Sequence, residues 1–358
     1  MEKKTLIEVL ALTGTYLQQH ANQKRSDSKA LKVLNNTFFE EFEDVIKTEH
    51  SSNAWFTEDN VRLALSGISY ALRKEKLEKW LKKYPGIPIE VSNAKTIGVV
   101  MAGNIPMVGF HDLVSVLVSG HKLLGRLSTK DERLMKLFTR LLVHIEPDIE
   151  PRIEFSDEYL NKTDAIIATG SNNTGRYFEY YFKNIPHIIR KNRNGIAVLT
   201  GDETENDLQK LGADIFNYFG LGCRNVTKLY LPDGFPPEKI MKTFDSFSQL
   251  AEHHKYGNNL NYNRTLYLMN NEKFFDNGAV ILKESMDIAS PVGVVNFEKY
   301  ADLNKLNNQL SALKEQIQCI VSIDKRIEGS IKPGESQMPE MWDYADGIDT
   351  LIFLKEIV

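Results

Sequence analysis

The sequence predicts an α/β protein: strands and helices alternate through most of its length, after a helical N-terminal region. Three observations carry this. Short apolar runs at 96–101, 121–127, 164–168 and 195–199 are separated by helix-length stretches, the pattern of βαβ units and a parallel sheet. The alternation resumes after residue 200 and runs to about 323, so a second α/β unit is expected. Residues 5–90 instead repeat apolar side chains every three or four positions, the period of a helix face.

In that first region Leu31, Leu34, Phe38, Phe42 and Val45 form one stripe. Val61, Leu63, Ala64, Ile68, Ala71 and Leu72 form another, with Thr57 as a candidate N-cap and Pro85-Gly86 as a stop. These helices carry no chemistry and are expected to pack on the main body.

From residue 96 the chain changes character. Strand 96–101 ends in the turn Ala102-Gly103-Asn104-Ile105-Pro106, and a helix over 108–119 follows. Strand 121–127 is followed by Ser128-Thr129-Lys130-Asp131 and a helix over 133–145. Strand 164–168 runs into Thr169-Gly170-Ser171-Asn172-Asn173-Thr174-Gly175 and a helix reaching Phe182. The three turns fall at the carboxyl ends of parallel strands, where such sheets bind ligands. Gly170-Ser171 opens a helix, whose free amides suit phosphate, although simple turn chemistry explains the glycines equally well. No G-x-G-x-x-G is present.

In the second half, strand 195–199 leads through a helix to Gly220-Leu221-Gly222-Cys223, then to a strand over 226–231. A cysteine on a glycine turn beside Arg224 and Asn225 is a candidate nucleophile, the alternative being a thiol that merely packs. Further on, a helix over 239–253, an exposed loop around His253-His254 and Tyr256–Asn259, and a strand over 264–269 are expected. A strand over 291–297, a helix over 302–318 and a strand over 319–323 complete the pattern.

The 358 residues suffice for two medium domains. A net charge of -4 implies no general field for nucleic acid, and no apolar run reaches the ~20 residues of a membrane span. Met1 to Thr5 open no apolar leader, and the two cysteines, Cys223 and Cys319, form no disulfide framework, so a cytoplasmic location is expected. No Cys/His cluster has zinc spacing, so no metal is expected.

Taken together, these segments resemble the aldehyde dehydrogenase superfamily, from about residue 96 to the C-terminus. Gly103-Asn104-Ile105-Pro106 is similar to its tryptophan-asparagine-aromatic-proline turn, and Thr169-Gly170-Ser171 with Gly175 to its threonine-glycine-serine turn. Gly220-Leu221-Gly222-Cys223 resembles the nucleophile segment, and Asp287-Ile288-Ala289-Ser290-Pro291-Val292 the glutamate-isoleucine-phenylalanine-glycine-proline-valine segment. Ile189-Arg190-Lys191-Asn192-Arg193 and Asp343 to Thr350 resemble one branch, the long-chain acyl-CoA reductases of bacterial bioluminescence.

The resemblance implies an aldehyde-dehydrogenase-like fold. It has a Rossmann-type cofactor domain over 96–200, a catalytic α/β domain over 201–332, the helical region 1–95 and a segment 333–358 that meets an interface or returns to the cofactor domain. It implies that Cys223 attacks an acyl-CoA thioester, that CoA leaves, and that hydride from a reduced nicotinamide converts the acyl-cysteine to a fatty aldehyde. Asn104 and the Cys223 amide are the implied oxyanion donors. Arg126, Ser128, Thr129, Gly170, Ser171 and Asp287 are the implied cofactor contacts. Arg126 stands for a lysine, and Thr129 replaces the glutamate that would hold a 2′-hydroxyl, which favours NADPH over NADH. Asp287 replaces a longer glutamate.

The oxidising enzymes use a glutamate to activate water, and the matching stretch here, Arg190 to Gly195, has no carboxylate; Asp202 and Glu203 are the next acids. That departure points to reduction. Oxidation of an aldehyde, reduction of a short or protein-borne acyl group, and non-catalytic acyl or nucleotide binding are the alternatives. The family further implies a homo-oligomer, with Trp342 and Phe353 in its interface, and an acyl-protein synthetase as partner. His187 reads as a core or loop histidine rather than an acid.

Overall fold

Residues 3–88, 91–157, 160, 162–170 and 172–357 are described by a computed structural model. The chain forms two compact units, one of residues 1–191 and 338–358 and the other of 192–337.

The first unit begins with four helices: α1 (Lys3–Ala21), α2 (Lys29–Thr48), α3 (Glu58–Ala71) and α4 (Lys74–Lys82). Leu31, Leu34, Phe38, Phe42 and Val45 are buried, as their spacing requires. Thr57 caps α3 by accepting the Asn60 amide proton. Then come β1 (Thr96–Val100), α5 (Phe110–Ser119), β2 (Lys122–Arg126), α6 (Glu132–Ile145), β3 (Ile153–Phe155), β4 (Ala165–Thr169), α7 (Asn172–Phe182) and β5 (His187–Arg190). The strands form a parallel sheet in the order β3-β2-β1-β4-β5. Ile97, Val99, Ala165 and Ile167 join the core shared with α5, α6 and the N-terminal helices. Ile166 and Ala168 point the other way, toward Phe178 and Phe182 of α7. Strands β3 and β5 are too short and too mixed in composition to stand out in the sequence.

The second unit holds β6 (Asn194–Val198), α8 (Glu205–Phe216), β7 (Val226–Pro232), α9 (Pro237–Phe244), α10 (His254–Met269), β8 (Phe274–Asp276), β9 (Ile281–Glu284), β10 (Val294–Tyr300), α11 (Leu303–Ala312) and β11 (Ile317–Val321). Its sheet runs β11-β6-β7-β10-β9-β8, parallel except for β8. Alternate residues feed two cores: Ala197, Leu199, Leu229 and Leu231 on one face, Ile196, Val198 and Tyr230 on the other.

Three expectations are corrected here. β6 pairs with β7 and β11, so it belongs to the second sheet and not to the domain drawn over 96–200. The helix expected over 239–253 is α9 followed by a 3-10 stretch over Asp245–Glu252. The loop at His253–Asn259 and the strand at 264–269 are replaced by the single helix α10. Its buried residues, Tyr256, Gly257, Leu260, Asn263 and Tyr267, do follow a helical period, but most are polar or hydroxylated, so hydropathy hides the stripe. His253 caps that helix and packs its ring 4.3 Å from that of Phe219.

Residues 338–358 return to the first unit. Trp80 Nε1 donates to Tyr344 Oη (2.7 Å), and Tyr84 Oη donates to Asp349 (2.6 Å). Trp342 and Phe353 are partly buried against this same core, with the Lys79 ammonium 4.2 Å from the centre of the Trp342 ring. Arg190, at the carboxyl end of β5, is buried between Asp112 of α5, with which it pairs, and the Thr350 hydroxyl (3.0 Å) at the start of α12 (Thr350–Glu356). Lys191 N–H reaches Asp346 at 3.4 Å. The two stretches around 190 and 343–350 are therefore in contact. No helix among the described residues is long and apolar enough to cross a membrane.

Breaking a buried ion pair from one side strands its partner. Arg190→Met is expected to lower the unfolding free energy by about 3–5 kcal/mol. The double variant Asp112→Leu/Arg190→Met should recover much of that loss in urea unfolding.

Candidate functional site

In the first unit, strand order reverses between β1 and β4: β1 connects onward to one side of the sheet, and β4 returns on the other. A crevice at the carboxyl ends is expected at such a point. The turn Ala102–Pro106 leaves β1 there, and Thr169-Gly170 leaves β4, with the Gly170 amide donating to the Arg190 carbonyl (3.3 Å). The turn after β2 packs on the turn after β1. A Cβ added to Gly103 would sit 2.4 Å from Ser128 Oγ and 2.7 Å from its Cβ, so no side chain fits at 103. Asn53 Nδ2 donates to the Gly103 carbonyl (3.1 Å) from the helical layer. Asn104 is exposed at the tip of this turn, and Arg126 and Thr129 are exposed beside Ser128. Ser171 lies outside the described residues.

Asp131 links these two turns. Its amide donates to the Ser128 carbonyl (2.9 Å), and its carboxylate accepts the Met107 N–H (2.8 Å), holding Met107 at φ 58. It is only 2% exposed. Burial pushes its carboxyl well above the usual carboxylate range, against the opposing pull of the Met107 and Val108 amides.

In the second unit, Cys223 is exposed, not packed. It follows a compressed stretch: Tyr218 (φ 54), Phe219 (φ 56) and Gly220 (φ 76) all take left-handed backbone angles. Two of these are bulky aromatics, for which that conformation is costly. Asn225 holds the stretch. Fully buried, it donates from Nδ2 to the carbonyls of Asp214 (3.0 Å), Ile215 (3.3 Å) and Asn217 (2.8 Å) at the end of α8. Its Oδ1 accepts the Gly222 N–H (2.8 Å), and its amide donates to the Gly222 carbonyl (3.0 Å). The helix end that precedes the cysteine presents carbonyls, the wrong polarity to favour a thiolate. The Asn225 amide group satisfies them. Arg224 is tied down by its Nε bond to the Ser336 carbonyl (2.6 Å), and Asp214 accepts the amides of Gly334 (2.6 Å) and Ser336 (3.0 Å).

Cys223 thus precedes the amino end of β7, the opposite end from the one that serves the first sheet. The amino end of β6 abuts it: a Cβ on Gly195 would lie 2.6 Å from the Arg224 carbonyl oxygen and 2.8 Å from that of Asn225. Asp202 and Glu203 follow the far end of β6. The Glu203 carboxylate is used up by the amides of Thr200 (2.7 Å) and Gly201 (3.0 Å). A small cavity lined by Phe219, Gly220, Thr227, Tyr256 and Val292 lies between the cysteine's turn and the segment before β10. Asp287 is exposed on the segment between β9 and β10, where its carboxylate accepts from Ser285 Oγ (3.3 Å). His187 begins β5 with Nδ1 against the carbonyls of Phe182 and Ile185, a structural place at the amino edge of the first sheet.

Asn225 and Asp131 are the residues that reading the sequence missed as site residues. Asn225 follows the cysteine by two positions but offers no motif. Asp131 closes the turn whose earlier residues drew attention.

Asn225→Asp keeps the size of the side chain but sets a carboxylate against three carbonyl oxygens, so it is expected to cost about 3 kcal/mol of stability in urea unfolding. For Asp131, a folded-state pKa above the unfolded one means stability is greatest below the unfolded value, about 3.9, and is lost as pH rises through the raised value. Asp131→Asn should flatten that loss when thermal unfolding is followed from pH 4 upward.

By sequence, no family model and no curated protein matches the chain. Solved structures do match. Aldehyde dehydrogenase 21 from Physcomitrella patens, in complex with succinate, is similar over 100% of this chain and 84% of its own, with a TM-score of 0.66 and 12% identity. A gamma-glutamyl-gamma-aminobutyraldehyde dehydrogenase from Burkholderia cenocepacia is similar over 90% and 72%, with a TM-score of 0.63 and 11% identity. An indole-3-acetaldehyde dehydrogenase in complex with NAD+ is similar over 91% and 73%, with a TM-score of 0.64 and 9% identity. At such identities the likeness is one of architecture, and the architecture of this chain is that of the aldehyde dehydrogenases.

Proposed function

We propose that the chain is an NADPH-dependent acyl-CoA reductase that releases a long-chain fatty aldehyde and CoA through an acyl-cysteine on Cys223. The observation that carries this reading is the surroundings of Cys223. The thiol is exposed on a braced turn, and the strand end that abuts it, Asn194-Gly195, carries no carboxylate to activate water. A nucleophile without a hydrolytic base suits an enzyme that must keep its acyl-cysteine until it is reduced.

The chemistry divides among the residues as follows. The Cys223 thiolate attacks the thioester carbonyl carbon, and the electron pair moves onto oxygen. The Asn104 carboxamide and the Cys223 N–H are the proposed donors to that oxyanion. Its collapse breaks the carbon–sulfur bond to CoA, which leaves as a thiolate and is protonated. A reduced nicotinamide, when bound, supplies the hydride that converts the acyl-cysteine to a thiohemiacetal. Cys223 then leaves as thiolate and the aldehyde is released. The braced turn keeps the sulfur in one position through attack and departure.

The carboxyl edge of the first sheet fits the cofactor. Arg126, Ser128, Thr129 and Gly170 stand there, and Asp287 is the acid assigned to its nicotinamide ribose. Asp131, the first acid after Thr129 in the chain, is buried and bonded to the Met107 amide, so it does not offer its carboxylate to a 2′-hydroxyl. Exposed Arg126 and Lys130 remain, a pairing that favours a 2′-phosphate.

The test is NADPH oxidation with acyl-CoAs of increasing chain length. Aldehyde should form in step with NADPH loss, faster than with NADH, and Cys223→Ala should abolish both. Asn104→Ala should lower kcat by ~10²–10³. Hydrolysis to free acid would show an oxidising or hydrolytic enzyme. Absence of any acyl label on Cys223 would leave a non-catalytic binding protein.

A further inference from the structure

The segment Met286–Ala289 has no regular structure, yet each of its four carbonyl oxygens accepts a bond from a side chain of a neighbouring strand. Lys228 Nζ donates to Met286 O (2.7 Å), and Thr227 Oγ1 to Ile288 O (2.8 Å). Asn296 Nδ2 donates both to Asp287 O (3.0 Å) and to Ala289 O (3.1 Å). All three donors are buried: Lys228 is 0% exposed, Asn296 4% and Thr227 8%. Lys228 and Asn296 are register partners across β7 and β10. Glu298 balances the lysine at 2.5 Å, and Gln309 Nε2 donates to the other oxygen of Glu298 (3.2 Å).

Packing does not call for these residues. A buried ammonium, amide and hydroxyl on two central strands cost desolvation that aliphatic side chains would avoid. Their common feature is the segment they grip. With its carbonyls drawn toward the strands and Ile288 turned into the core, the segment displays Asp287, and Met286 at 81% exposure, on its outer side.

We propose that Asn296, Thr227 and Lys228 are positioning residues that fix the Asp287 carboxylate for the cofactor. The inference rests on the reading of Asp287 as the acid that holds the nicotinamide ribose. None of the three is assigned a contact with the cofactor; they act through the backbone carbonyls of Asp287 and of its neighbours Met286, Ile288 and Ala289.

Two half-reactions separate this role from general stability. CoA release from acyl-CoA without cofactor reports Cys223, and NADPH fluorescence titration reports the cofactor site. Asn296→Leu is expected to raise the NADPH Kd about tenfold while CoA release stays within about twofold of the parent. Thr227→Val should give a smaller shift in the same direction, and Thr227→Ser should restore the parent value. If Asn296→Leu does not fold, the Thr227 pair decides. An unchanged Kd in a folded variant overturns the proposal, as does a parallel loss of binding and CoA release. A parent that binds NADPH but releases no CoA overturns the role of Cys223 instead, and the titration still judges the positioning. A parent that binds no NADPH overturns the positioning and the cofactor reading, while CoA release still judges Cys223.

Discussion

One carboxamide sets the geometry on which the candidate chemistry rests. Asn225 has two donors and one acceptor on a rigid plane, and all are engaged by backbone groups. It closes the end of α8, fixes the Gly222 amide three residues before itself and so sets the turn that lifts Cys223 to the surface. Left-handed angles at Tyr218 and Phe219 carry strain that an unbraced loop would relax. Here the strain is offset by buried aromatic packing, with Phe219 lying on the His253 and Tyr256 rings. The exposed thiol thus stands at the end of a buried, hydrogen-bonded turn.

Much of the fold was legible because the strands of the two sheets are short apolar runs between turn residues, and neither property depends on tertiary context. β1, β2, β4, β6 and β7 fall within a residue or two of their expected places. Helix α10 was not legible, since its inner face holds Tyr256, Asn263 and Tyr267; Tyr256 and Asn263 donate to the distant carbonyls of Ala279 and Val292. Strand β8 was missed because three residues carry too little pattern. Among the site residues, the exposed tips, Asn104, Arg126 and Cys223, show in the sequence because their types suit chemistry. The residues that hold those tips do not, because Asn225 and Asp131 act through backbone groups whose positions only the fold supplies.

The two stretches that suggested a particular branch of reductases, around 190 and 343–350, lie some 150 residues apart. In space Arg190 bonds the hydroxyl of Thr350 and pairs with Asp112. Their joint presence has a physical explanation: an arginine buried at the end of β5 needs both an anion and a second acceptor, and the returning segment provides the latter. This makes the pair a structural signature of how the first unit is closed, which is separate from the identity of the substrate.

That closure has a consequence for synthesis. The second unit is inserted between two parts of the first, so Tyr344, Asp349 and Thr350, which bond Trp80, Tyr84 and Arg190, are translated only after the whole insert. At roughly 5–20 residues per second, a ribosome needs on the order of ten seconds or more to pass from Arg190 to Tyr344. Throughout that interval the nascent first unit lacks the cover for Trp80, while the inserted unit already has every strand of its own sheet by Val321. The inserted unit can therefore mature before the unit that hosts it, and a chain that stops between Gln337 and Tyr344 would carry a finished insert on an unfinished host.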